Sequence, residues 1–113
     1  MTTVETNSSS AAIARLNDCF RKRPGEGWFI TAGVQTKGPI FVLSATNAVS
    51  GFQNFTADND PHGEHDFGAL QLCGERLFWK IDTYDRDLRF GSPDPADLSV
   101  TRRVITIMLA SEY

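Results

Sequence analysis

The segment richest in reactive side chains is Asp58–Gly68, which reads DNDPHGEHDFG. It holds both histidines of the protein, His62 and His65, and four of its fourteen acids. These acids are Asp58, Asp60, Glu64 and Asp66. Imidazole and carboxylate groups suit zinc, manganese or iron, and the i, i+3 spacing lets a tight loop present both histidines to one ion. A histidine beside a carboxylate can also serve as a general acid or base.

The same segment also has a purely structural interpretation. Asp and Asn side chains ahead of turns hydrogen-bond the local backbone, and Pro61, Gly63 and Gly68 are typical of such turns. Arg86 and Arg89 could pair with nearby acids and anchor the loop. The residue types alone therefore leave open a metal site, an acid–base site, a partner-binding surface and a structural loop.

A β-hairpin over residues 67–82 is the element expected to position this segment. Apolar residues alternate on both sides of a turn, and Gly74-Glu75 is the predicted tip. Pairing around that tip sets Leu70 opposite Trp79 and collects the large apolar side chains on one face.

The open end of this hairpin should bring distant residues together. The predicted register places His65 opposite Tyr84, so we expect the acidic segment 58–66 to meet residues 82–87 there. In the metal-site interpretation, a divalent ion such as zinc or manganese would be held by four ligands. These are His62, His65, Asp66 and Asp82.

Helical spacing appears near the start and in the middle of the chain. Ile13, Leu16 and Phe20 lie on one face of a helix predicted from Ser9 or Ser10 to about residue 23. Residues 40–52 suit either a strand or a helix, and their helical spacing after Gly38-Pro39 favours the helix.

A further helix is predicted at the end of the chain. Asp97 or Ser99 would cap it, and it would run to about Ser111. Its buried stripe would contain Val104, Ile107 and Met108.

These elements predict an α+β fold, once a short strand at Trp28–Thr31 is added. We expect a small antiparallel sheet of about three strands, built on the central hairpin and packed against two or three helices. The length suits a single domain over residues 11–113. Residues 1–10 are rich in Ser and Thr, which predicts a flexible arm.

The charge is unevenly distributed. The formal net charge is −3, yet residues 58–97 contain ten acids and four bases. This acidic middle argues against direct nucleic-acid binding and permits a basic protein partner, a cation or a solvated face. No stretch approaches the roughly 20 apolar residues of a membrane span. We expect a cytoplasmic protein with Cys19 and Cys73 reduced.

The central motif resembles a known family. Asp58–Gly68, together with Phe78–Asp82 and Tyr84–Gly91, is similar to the bacterial domain-of-unknown-function family DUF3768. The resemblance extends over nearly the whole chain after residue 12. It implies a short bacterial protein, often encoded on a plasmid or other mobile element, with no assigned activity. Similar members usually have a more charged helical stretch where Ile40–Ser44 stands.

The favoured hypothesis is binding rather than catalysis. A compact acidic protein without a nucleophile motif can act by covering a basic surface on another macromolecule. We expect an inhibitor of the mobile-element or phage type, of an anti-CRISPR-like kind, that engages a basic host protein or nucleic-acid-binding complex. The predicted partner-binding residues are Asp58, Asp60, Glu64, Asp82, Tyr84, Asp85 and Asp87. The alternative is a metal-dependent hydrolase or small-ligand binder centred on the histidine segment.

Overall fold

The part of the chain that the structure describes combines three α-helices with four strands. The structure, a computed structural model, describes residues 2–113, with side chains from residue 9 onward. The elements are α1 (Thr2–Arg21), β1 (Trp28–Ile30), α2 (Ala32–Gln35), α3 (Pro39–Ser50), β2 (Phe67–Leu72), β3 (Glu75–Tyr84) and β4 (Arg102–Leu109). Short 3-10 turns at Leu98–Val100 and Ala110–Glu112 precede and follow β4.

The four strands form one sheet in the order β1-β4-β3-β2. β3 is antiparallel to both of its neighbours, while β1 is parallel to β4. The predicted α+β class and the central hairpin are therefore confirmed. The sheet is mixed and has four strands rather than about three, because the last predicted helix is a strand.

The helix predicted up to Ser111 is the main error of the sequence interpretation. Along β4 the side chains of Arg103, Ile105 and Ile107 are buried in alternation, as in a strand packed on one face. The β-branched run 104–107 favours this conformation. The predicted Asp97 cap does form, since its carboxylate accepts a hydrogen bond from Ser99 N. It caps only the single turn before β4.

The predicted hairpin is present, but its tip differs from the predicted one. The turn residues are Cys73 and Gly74, whose φ values of 50° and 80° are both left-handed, as a two-residue primed turn requires. Leu70 therefore pairs with Leu77 rather than with Trp79. This displacement by two residues leaves every side chain on its predicted face, because side chains alternate with a period of two.

One face of the sheet carries the core. Side chains from α2, α3 and the following loop pack against those of β3 and β4. The buried cluster is Val34, Ala45, Val49, Phe52, Leu77, Trp79, Ile81, Ile105 and Ile107. The favoured helix over residues 40–52 is thus confirmed as α3, and Ile40 and Leu43 in its N-terminal half are exposed.

Two further findings concern the ends and surface of the chain. None of the helices described here is long and apolar enough to cross a membrane. The predicted flexible arm falls on residues 1–10, of which Met1 and the side chains up to residue 8 lie outside the described part. It stays a prediction, although α1 itself is assigned from Thr2.

Candidate functional site

His65 lies at the junction of the acidic loop and α1. Its backbone is left-handed, with φ of 56°. Its ring stacks on Phe55 at 3.9 Å between centroids, and its Nδ1 lies 2.9 Å from an oxygen of Asp18. Its backbone N–H donates to the buried Asp60 carboxylate at 3.2 Å, and Nε2 lies 3.6 Å from that carboxylate. His65 is therefore held between two acids.

Helix α1 supplies the polar partners of this loop. Arg21 is buried, donates to Asp18 at 2.9 Å and to the Phe52 carbonyl at 3.0 Å, and lies over the Trp79 ring. Asn17, one turn earlier, donates to the Glu64 carbonyl at 2.8 Å. We call Asn17, Asp18, Arg21, Asp60 and His65 the His65 network. It fixes the loop against the helix.

The predicted partners of the histidines do not join them. The Asp66 carbonyl accepts from Ile81 N, so the register that set His65 opposite Tyr84 is wrong. Asp82 instead accepts from Lys80 at 2.7 Å, and His62 is exposed. Among the residues whose side chains are described, no group of three or more His, Cys, Asp or Glu could hold a metal ion.

A smaller set of carboxylates remains close together beside β2. Burial and the nearby Asp66 charge raise the pKa of Glu64. Burial also raises the pKa of Asp66, and the charges of Asp60 and Asp82 add to that effect. Both pKa values rise because each carboxylate is partly desolvated beside other negative charges. We call Glu64 and Asp66 the acidic border.

The sheet face opposite the core carries an aromatic cluster. Phe67 and Phe78 lie 5.3 Å apart, and Tyr113 contacts both rings at 5.9 and 5.4 Å. The guanidinium of Arg76 lies 5.5 Å from the Phe78 centroid. Tyr113 is 73% exposed and Phe29, on the far strand of this face, is 57% exposed. We call this face the open face, since the core lies on the other side.

Some of the other predicted partner-binding residues are exposed to solvent, and the rest make contacts within the protein. Asp58 and Asp87 are exposed. Asp85 accepts from Arg89 N in the turn after β3, and Tyr84 pairs with Arg102 within the sheet. Of the predicted set, Asp60 is the most fully buried, so its charge serves the His65 network rather than a partner.

Comparison with known proteins identifies the family of this chain. The model of a family described as a protein of unknown function, DUF3768, matches residues 30–112. The chain belongs to DUF3768. No curated protein and no solved structure matches it.

The DUF3768 match begins after α1. The helix that carries Asn17, Asp18 and Arg21 thus lies outside the matched range, although Asn17 and Asp18 hydrogen-bond Glu64 and His65 of the central motif. Sequence reasoning missed these residues as site components. The i, i+3 spacing of Asp18 and Arg21 was a usable signal, because such pairs meet on a helix surface.

Proposed function

We propose that this protein works by binding a protein partner on its open face, with a basic segment of the partner placed against the acidic border. The single observation that carries the proposal is the aromatic cluster of Phe67, Phe78 and Tyr113 on the sheet face away from the core. Tyr113 is exposed, while Phe67 and Phe78 are half-buried beneath it. Aromatic side chains that remain accessible on a rigid sheet are typical of interface centres.

The electrostatics of the acidic border support a basic partner. Glu64 and Asp66 have raised pKa values, so their negative charge is disfavoured in the free protein. A lysine or arginine placed beside them would offset the repulsion and restore ordinary ionisation. Lys80 already pairs with Asp82, whereas neither Glu64 nor Asp66 forms an ion pair with another described side chain.

The more specific role within this proposal is inhibition of the partner protein. A host protein that binds nucleic acid presents the basic surface that such a border would meet. An anti-CRISPR-like inhibitor encoded on a mobile element fits this description, and the support for it is the acidic border and the size of the chain. We place the protein in the cytoplasm, since Cys19 and Cys73 are both free and exposed, as suits a reducing compartment.

A defined basic peptide tests the proposal directly. The probe is a fluorescent peptide of alternating Arg and Leu, with a Glu–Leu peptide as its charge-reversed counterpart, followed by anisotropy. We expect the Arg–Leu peptide to bind and the double variant Glu64→Gln/Asp66→Asn to weaken it about fivefold or more. The matched control is Glu26→Gln, which removes an exposed acid elsewhere and should leave the affinity unchanged.

The pH dependence adds a second measurement. Burial and the charge of Asp66 hold the pKa of Glu64 above its ordinary value of 4.5, so just above that pH the carboxylate carries less negative charge than an exposed glutamate and attracts a cation less strongly. Affinity for the Arg–Leu peptide should therefore rise with pH above about 4.5, and the double variant should show a flatter curve. Equal binding by wild type and double variant at every pH would rule out the acidic border as the recognition element.

A further inference from the structure

Arg103 is a buried charge with neutral partners. It is 8% exposed, its Nε donates to the Asn17 amide oxygen at 2.7 Å, and its Nη2 donates to the Pro95 carbonyl at 2.6 Å. Its Nη1 is buried without an acceptor. Among the described side chains, no carboxylate forms an ion pair with it. Arg21, the other buried arginine, has the carboxylate of Asp18.

A buried guanidinium without a counter-ion is costly. Transfer of a charge out of water is offset only by a close opposite charge or a full set of acceptors, and Arg103 has neither. The same desolvation lowers the pKa of Arg103. A negative charge placed near Arg103 would therefore be stabilised.

Two adjoining cavities lie against Arg103. One, of about 560 Å³, is lined on its apolar side by Leu16, Phe20 and Leu98. The other, of about 480 Å³, is lined by Arg86 and Arg102. Both cavities share the lining residues Phe20, Glu26, Thr101 and Arg103, so they form one cleft with an apolar end and a cationic end.

The cationic end has an excess of positive charge. Arg86 and Arg102 are exposed, and neither forms an ion pair with any described side chain. Arg23 adds a further guanidinium at the apolar end, and Glu26 is the lone acid among the residues that line the two cavities. Arginine side chains present paired N–H groups that match the oxygens of phosphate and carboxylate groups.

We propose that this cleft binds a small organic anion, with a phosphate or carboxylate group at the arginine end and an apolar or aromatic body against Phe20 and Leu98. Arg86 and Arg102 donate the hydrogen bonds. Arg103 acts through its fixed charge, since its Nη1 is enclosed. The size of the cleft suits a ligand of a few hundred Å³. The bound anion supplies a negative charge near Arg103, which has no carboxylate partner among the described side chains.

Neither residue of the acidic border lines this cleft. The acidic border lies beside the start of β2, whereas the cleft is built from α1, the loop before β1 and the start of β4. The cationic end of the cleft is not evident from the sequence, because Arg86 lies in the net-negative segment 58–97 while Arg102 and Arg103 lie outside it.

Calorimetry with simple anions tests the proposal. The probes are phenyl phosphate, benzoate and inorganic phosphate, with benzyl alcohol as the neutral counterpart. We expect phenyl phosphate or benzoate to bind more tightly than inorganic phosphate, because only they fill the apolar end. Their relative affinities distinguish a phosphate ligand from a carboxylate. Benzyl alcohol should not bind measurably.

Variants of the residues around Arg103 test the site further. Arg103 itself is retained in each of them, because it is buried and its replacement would disturb the fold. Arg86→Gln/Arg102→Gln should weaken the tighter of the two aromatic anions by about tenfold or more, whereas Arg76→Gln, at the other end of β3, should leave its affinity unchanged. Glu26→Gln should tighten binding by removing the acid at the cleft. No binding by either aromatic anion at about 10 mM, or equal affinity in the Arg86/Arg102 and Arg76 variants, would overturn the proposal.

Discussion

At the scale of single residues, the His65 network shows how a reactive composition can serve the fold. His65 contacts Asp18 across 47 positions of the chain, and Arg103 contacts Asn17 across 86. Local sequence patterns do not contain such pairings, which is why the histidines were assigned to carboxylates nearby in sequence. The structural loop was one of four interpretations that the residue types left open, and the partners of His65 and of the loop come in part from α1.

Substitution of His65 is the residue-scale prediction. His65→Ala removes the stacking on Phe55 and leaves the Asp18 and Asp60 carboxylates without the imidazole. We expect the free energy of unfolding, measured by urea titration, to fall by about 1–3 kcal/mol. His62→Ala is the matched control, because His62 is exposed, and it should change stability by less than about 0.5 kcal/mol. Equal losses in the two variants would contradict the role of the network.

At the scale of elements, alternation was a more reliable signal than the position of turns or caps. The apolar face of the hairpin was predictable because every even displacement keeps Leu77, Trp79 and Ile81 together. The tip was not, because Cys73 adopts a left-handed conformation that its residue type does not suggest.

In β4 the spacing of Val104, Ile107 and Met108 fitted a helix, while its β-branched residues fitted a strand. Pairing with β3 along the whole strand decided the outcome.

Gly68 gives the element-scale prediction. It faces Trp79 across the β2–β3 pair, and a Cβ there would lie 2.6 Å from Trp79 Cε2 and 2.9 Å from Phe52 Cζ. Gly68→Ala should therefore force β2 away from the core and lower the free energy of unfolding by about 1–3 kcal/mol. Gly91→Ala is the control, since a Cβ at that position meets nothing within 4 Å. Thermal melting of both proteins compares them, and a Gly68 variant as stable as the Gly91 variant would show that the core can shift at no cost.

At the scale of the whole molecule, the positions of residues along the sequence do not show how they are grouped in space. This holds for the distribution of charge and for the range of the DUF3768 match. The acidic middle of the sequence separates in space into the acidic border, the buried Asp60 and acids used in turns, while Arg86 joins the arginines of the cleft. The DUF3768 match likewise begins at residue 30, yet the matched range is held by side chains from α1.

Truncation separates α1 from the family range and tests that dependence. A chain of residues 27–113 lacks Asn17 and Arg21, so the Glu64 and Phe52 carbonyls lose their donors and the Trp79 ring loses the guanidinium above it. We expect this chain to lose cooperative thermal unfolding, whereas a chain of residues 9–113 should melt within a few degrees of the full protein if residues 1–8 belong to the flexible arm that the sequence predicts. Adding a peptide of residues 9–26 to the shorter chain should restore a cooperative transition, because the buried polar groups regain their partners. Cooperative melting of residues 27–113 alone would mean that α1 is not required for folding. The two buried arginines would then have a role other than stabilising the fold.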